Sequence, residues 1–167
     1  MPPEAKALFG YGVALHCGSV LFGNKGSAKR LDFGLVGDTA NDAARIESLT
    51  KYYHVTLLVS RECLVQLTNP GLHRLLDRAI VKGKTKPVEL FEIENPRTPP
   101  NYAELVKAWD AAFADYTAGK FAEARPAFAK LVEQFDDGPS KVMIHRCEEL
   151  AAHPPAEWHG VWKMESK

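Results

Sequence analysis

A chain of 167 residues, 46% apolar and 25% charged, has room for one ordinary domain, or a small domain with an appendage, and reads as a soluble globular protein. Basic and acidic residues number 21 each, so bulk charge gives no reason to expect nucleic acid or an acidic membrane surface as the partner. No apolar run approaches the roughly 18 residues of a membrane span, MPPEAKALF lacks a signal-peptide core, and Cys17, Cys63 and Cys147 have neither disulfide nor zinc spacing. The expected compartment is the cytosol.

In chain order, GYGVALHCGSVLFGN alternates small and apolar residues around Gly18, which predicts two short strands or one bent strand. LDFGLVG is a further short strand, Thr39 to Tyr53 a helix, and Val55–Ser60 a buried strand of β-branched character. Arg61–Thr68 fits a short helix, and HRLLDRAIVKGKTKPVELFEI two strands joined by a Lys/Gly-rich turn. NPRTPP, with three prolines, marks a boundary between residues 1–95 and 96–167. Beyond it the period becomes helical. Leu105, Val106, Trp109, Ala112, Phe113 and Tyr116 share a face of one helix, Phe121–Phe135 form a second, and Ser140–Ala152 a third. The first two resemble a single tetratricopeptide-type hairpin and equally fit an ordinary αα-hairpin; one such unit cannot bury its own face and is expected to pack on its neighbours. Trp158 and Trp162 near Pro154–Pro155 suggest a segment docking back onto the protein. His16, beside Cys17, is expected to be a packed strand histidine, and His145-Arg146-Cys147 a structural stretch without ligand spacing.

The chemistry concentrates in RLDFGLVGDTANDAARIESL. Asp38 is placed to cap the helix that follows Gly37. Ala40, Ala43 and Ile46 then form one face, while Asn41, Arg45 and Ser48 project together from the other. From spacing alone two readings stay open: a helix N-terminus that receives a phosphate-bearing ligand, and a surface arginine paired with Asp42 or Glu47.

The longer string HCGSVLFGNKGSAKRLDFGLVGDTANDAARIESLTK, followed by IVKGKTKPVELFEI, resembles the second half of a class III adenylyl/guanylyl cyclase catalytic domain over residues 9–94. The matching positions are Gly23, Asn24, Gly26 and Ser27, then Arg30, Asp32, Phe33 and Gly37. Asn41, Ala43, Ala44, Arg45 and Glu47 follow, and Val81, Lys82, Gly83 and Lys84 complete the set. The resemblance implies a mixed α/β (α+β) fold: the C-terminal half of a ferredoxin-like cyclase domain over residues 1–95, followed by an α-helical, TPR-like tail over 96–167, like the extension found after many bacterial cyclase domains.

By the same resemblance, such enzymes turn ATP or GTP into a cyclic nucleotide and pyrophosphate by two-metal phosphoryl transfer, with Mg2+ or Mn2+ as cofactor. Asn41 matches the residue that orients the ribose, Arg45 the arginine that stabilises charge on phosphorus, and Lys84, in preference to Lys82, the lysine that reaches the terminal phosphates. Gly34 stands where a side chain reads the purine edge, which leaves base discrimination to the backbone or a water. The R-L-D-F strand looks like that of bacterial adenylyl members and favours ATP. The family's two metal-binding aspartates belong to the first half of the domain, ahead of these motifs, and no metal ligand is expected here. The expectation is therefore the nucleotide side of an intracellular signalling enzyme, working at a dimer interface in a homodimeric full-length protein and inactive alone. The alternative is a non-catalytic, cyclase-like module that pairs with another cyclase or signalling protein.

Overall fold

The computed structural model describes residues 11–27 and 30–164, so the MPPEAKALF start and the Ala28–Lys29 link lie outside the described residues. The bent stretch around Gly18 becomes two strands, β1 (Val13–Leu15) and β2 (Leu21–Ser27). β2 pairs antiparallel with β3 (Arg30–Val36), Leu21 opposite Val36 and Gly23 opposite Gly34, and this hairpin forms its own two-stranded sheet. Leu21, Phe22, Phe33 and Leu35 on it are each more than half exposed, and Phe22 stacks on Phe33 with ring centroids 5.9 Å apart.

The helix α1 (Asp38–Tyr53) buries Ile46, Thr50 and Tyr53, at helical spacing, and closes on His54, whose left-handed backbone (φ 56°) returns N–H groups to the last turn. Gly12 lets β1 press against this helix, because a Cβ there would overlap the Thr50 side chain. β4 (Leu57–Ser60) runs parallel to β1 and leads into the single turn α2 (Arg61–Leu64), shorter than the expected Arg61–Thr68. β5 (His73–Ile80) and β6 (Val88–Ile93) make the predicted antiparallel pair, and β6 also pairs with β4. With β7 (Trp162–Lys163) beside β5, the main sheet has the order β1-β4-β6-β5-β7. β7 had no counterpart in the sequence-based expectation, since two residues carry no period.

Three helices complete the mixed α/β fold: α3 (Tyr102–Thr117), α4 (Phe121–Phe135) and α5 (Gly138–Ala152). α5 starts two residues earlier than expected because Asp137 caps it, accepting from the Ser140 N–H at 3.0 Å and the Ser140 hydroxyl at 2.6 Å. α3 lies on β5, where the Trp109 indole N–H donates to the Leu75 carbonyl at 2.8 Å; α4 packs on both α3 and α5. One continuous core joins Ile46, Tyr53, Leu58, Leu76 and Leu90 to Trp109, Phe128 and Met143 of the helices. On the sheet's other face, Val59 and Phe91 have only Cys63 and Leu64 of α2 as buried company.

Two buried ion-pair clusters cross this core. A bulge at Leu75/Asp77 in β5 leaves both Leu76 and Asp77 buried. Arg146 of α5, also fully buried, donates to the Asp77 carboxylate at 2.7 Å and to the Tyr53 hydroxyl at 2.9 Å, and Tyr53 donates in turn to Asp77. Burial works against the Arg146 charge, but Asp77 and the surrounding tyrosines outweigh it and hold the guanidinium above its ordinary range. In the second cluster Arg74 of β5 donates to Glu92 of β6 at 2.8 Å and to the Asp137 cap at 2.6 Å, its guanidinium lying 4.5 Å from the centroid of the Trp109 ring.

Asp77→Ala should therefore strand a buried cation and destabilise the fold by about 3–5 kcal/mol. The double variant Asp77→Leu/Arg146→Met should lose less than that single change, as urea denaturation of the two proteins will show. Burial also pushes the Cys147 thiol up to about 12. The unfolded chain then sheds that proton first, so part of the stability is lost as pH rises above the ordinary thiol value of 9.0 towards 12, checked by denaturation midpoints across that range.

Candidate functional site

The sequence placed its chemistry on α1 and in the turn between β5 and β6, and the fold brings these two elements together. Arg45 is about two-fifths exposed and its Nη1 lies 3.4 Å from Asp42 Oδ1, one turn earlier on the same helix. Lys84 reaches across from the turn to Asp42 Oδ2 at 3.0 Å and to Asp38 Oδ2 at 3.6 Å. The bond to Asp42, with Asp38 adding to it, holds the Lys84 amine above its ordinary range. Each Asp42 oxygen thus takes one cation, from two different elements. Of the two readings of Arg45 left open by spacing, the pairing with Asp42 is present. The cation beside it from a distant part of the chain is what spacing on one helix could not reveal.

Asp38 is not the side-chain cap expected of it. Helix α1 begins at Asp38 itself after Gly37, no side-chain cap bond forms, and the exposed carboxylate turns to Lys84. Lys82 and Lys84, two residues apart in the same turn, go to different places. Lys84 lines a small cleft of about 260 Å3 with Asp42, His16 and Glu62. Lys82 lines a larger one of about 980 Å3 with Arg45, Ser48, Tyr52, Trp158 and Trp162. Gly83 sits between them at φ +77°, where an added Cβ would stand 3.5 Å from Arg45 Nη2.

Asn41 is exposed on α1 one turn before Arg45, and Gly34 pairs with Gly23 in the hairpin. Neither lines the two clefts that Arg45 and Lys84 line. Among the described residues nothing lies within 4 Å of where a Gly34 Cβ would be. His16 is a packed histidine whose Nδ1 is 2.8 Å from Ser60 Oγ. Arg146, inside the stretch read as structural, is the buried cation described above. Among the described residues no group of His, Cys, Asp and Glu side chains is arranged to hold a metal ion, and the two acids nearest the site are occupied by Arg45 and Lys84. The described residues therefore do not of themselves make up a metal centre. No helix among the described residues is long and apolar enough to cross a membrane.

The larger cleft is lined by the Trp158 and Trp162 segment that the sequence expected to dock back onto the protein. Trp158 donates to the Tyr116 carbonyl at 3.1 Å and meets the Tyr116 and Phe121 rings edge-on, while the Arg146 guanidinium lies over Trp162, 4.5 Å from the centroid of the indole ring. β7 pairs Trp162 with Ala79 and Lys163 with Ile80, and the Met164 N–H donates to the Ile80 carbonyl at 3.0 Å, immediately before the Val81–Lys84 turn. The tryptophan pair was the available signal, and it pointed to docking without naming the strand it docks on.

No family model matches the chain. It is 35% identical over 86 residues to an adenylate cyclase of Anabaena cylindrica, covering 50% of this chain and 17% of that protein. It is 31% identical over 91 residues to adenylate cyclase 1 of Rhizobium meliloti (strain 1021), covering 54% and 13%. Its match to the adenylyl cyclase CyaB from P. aeruginosa has a TM-score of 0.39 at 26% identity, over 47% of this chain and 39% of that one, so the relation rests on sequence. The matched stretch spans less than a fifth of the length of either curated relative.

Gly83→Ala should cost about 1–2 kcal/mol, because the left-handed backbone disfavours a Cβ. Gly34→Ala, which meets nothing, should stay within about 0.5 kcal/mol of the parent in the same thermal melts.

Proposed function

We propose that the chain carries part of a class III cyclase domain, a reading supported by its likeness to two adenylate cyclases, and that it supplies the nucleotide side of an adenylate cyclase site. ATP is the substrate, and cyclic AMP and pyrophosphate the products, formed in the cytosol by a complete, dimeric enzyme. The observation behind the assignment is the convergence of Arg45 and Lys84 on one carboxylate at the start of α1. An arginine and a lysine held on one locus at a helix N-terminus suit a polyphosphate.

In this assignment Lys84 binds the terminal phosphates as a point charge, and Arg45 spreads its planar charge over the α-phosphorus as the 3′-oxygen attacks. Asn41, exposed beside them, holds the ribose through its amide, and Gly34 leaves the purine edge without a side-chain contact. Any metal ions of a complete site would be held by aspartates outside these residues and would supply the activation of the attacking hydroxyl, so the chain alone is inactive. A second reading, a non-catalytic module that pairs with a cyclase, is favoured by Gly34, which has no side chain with which to select a base.

The test mixes the pure chain with a cyclase domain that keeps its metal aspartates but has lost its own asparagine and arginine. Cyclic AMP should form from ATP and Mn2+ in the mixture, not with either protein alone, and Arg45→Ala should lower it by about a hundredfold or more. Pairing without product would favour the module. Product from the chain alone, lost in Arg45→Ala, would refute its assignment as half a site.

A further inference from the structure

We propose that Asp42 is an internal stand-in for a phosphate, a carboxylate that occupies both cations of the site until a polyphosphate displaces it. The inference rests on the assignment of Arg45 and Lys84 to phosphate binding and adds the group that competes for them. Asp42 offers Oδ1 to Arg45 at 3.4 Å and Oδ2 to Lys84 at 3.0 Å, so its two oxygens lie between a helix and a turn, the place that bridging phosphate oxygens would take. Asp42 is half-buried at 22% exposure, whereas Asp38, the second acid near Lys84, is 89% exposed and stands further off at 3.6 Å. Both cations retain some access to solvent, Arg45 at 39% and Lys84 at 27%, and an entering anion has a route to each.

An ordinary surface pair would join one cation to one acid and contribute little. Here one acid closes the gap between α1 and the Val81–Lys84 turn. An incoming polyphosphate must take the cations from Asp42 and then sit beside a like charge, so the carboxylate weakens binding twice over. Were Asp42 instead a scaffold that aims the cations, its charge would strengthen binding. The two roles predict opposite signs for one substitution.

The experiment is calorimetric titration of the full chain with inorganic triphosphate at low ionic strength, which leaves base and ribose out of the comparison. Asp42→Asn keeps the shape and removes the charge, and it should tighten binding by about three- to tenfold, the range that two partly exposed ion pairs can withhold. Asp38→Asn should give a smaller gain, and Arg45→Ala a loss. Thermal melts of the same variants separate lost charge from lost fold. If Asp42→Asn binds no better than the parent, or worse, while Arg45→Ala still weakens binding, Asp42 positions the cations and the stand-in role is overturned alone. If triphosphate binds none of the proteins, the phosphate assignment of Arg45 and Lys84 falls, and this inference with it.

Discussion

The structure depends on a charge buried where three elements meet. Arg146 comes from α5, Asp77 from the bulge of β5 and Tyr53 from the last turn of α1, and all three are shut off from solvent. A lone guanidinium there would be intolerable, and a lone carboxylate equally so. The helical tail and the sheet therefore cannot separate without leaving an unpaired ion in apolar surroundings. The Arg74–Glu92–Asp137 cluster repeats the device at the start of α5, tying its cap to β5 and β6. Two ion clusters and one continuous apolar core make residues 102–152 part of the sheet's support.

That support reaches the candidate site through short links. The far side of Arg146 is covered by Trp162, which belongs to β7, and β7 hydrogen-bonds the end of β5 at Ile80. The next residues are the turn that carries Gly83 and Lys84. On the other side, Tyr53 ends the helix whose first half carries Asn41, Asp42 and Arg45. The buried cation thus anchors both elements whose cations converge on Asp42, and the position of Lys84 relative to Arg45 follows from packing more than from the exposed ion pairs themselves.

Much of this was legible in the sequence, for definite reasons. Periodicity gave α3 and α4 and the β5–β6 pair, because long amphipathic patterns dominate local alternatives. The resemblance to cyclase motifs singled out Arg45 and Lys84, which the fold brings together at Asp42. Three things were not legible. Asp38 looked like a cap because aspartate after a glycine turn usually is one, yet a lysine 46 positions later competes for it. Asp42 looked like one half of a surface pair, since its second partner lies on another element. Arg146 stood in a stretch with no ligand spacing, and only the bulge in β5, invisible to a period-2 pattern, exposes Asp77 to it.

The charge at α1 also bears on the surfaces beside it. One arginine and one lysine cannot neutralise a triphosphate, and Asp42 and Asp38 subtract from what they offer. A triphosphate at α1 would therefore need positive charge beyond that of Arg45 and Lys84. The hairpin that leads into α1 displays Leu21, Phe22, Phe33 and Leu35 to solvent, and the edge strand β1 displays Val13 and Leu15. An exposed apolar hairpin is costly for an isolated monomer. Joined through Gly37 to the start of α1, it is also the surface from which a covering partner would stand next to Asn41 and Arg45.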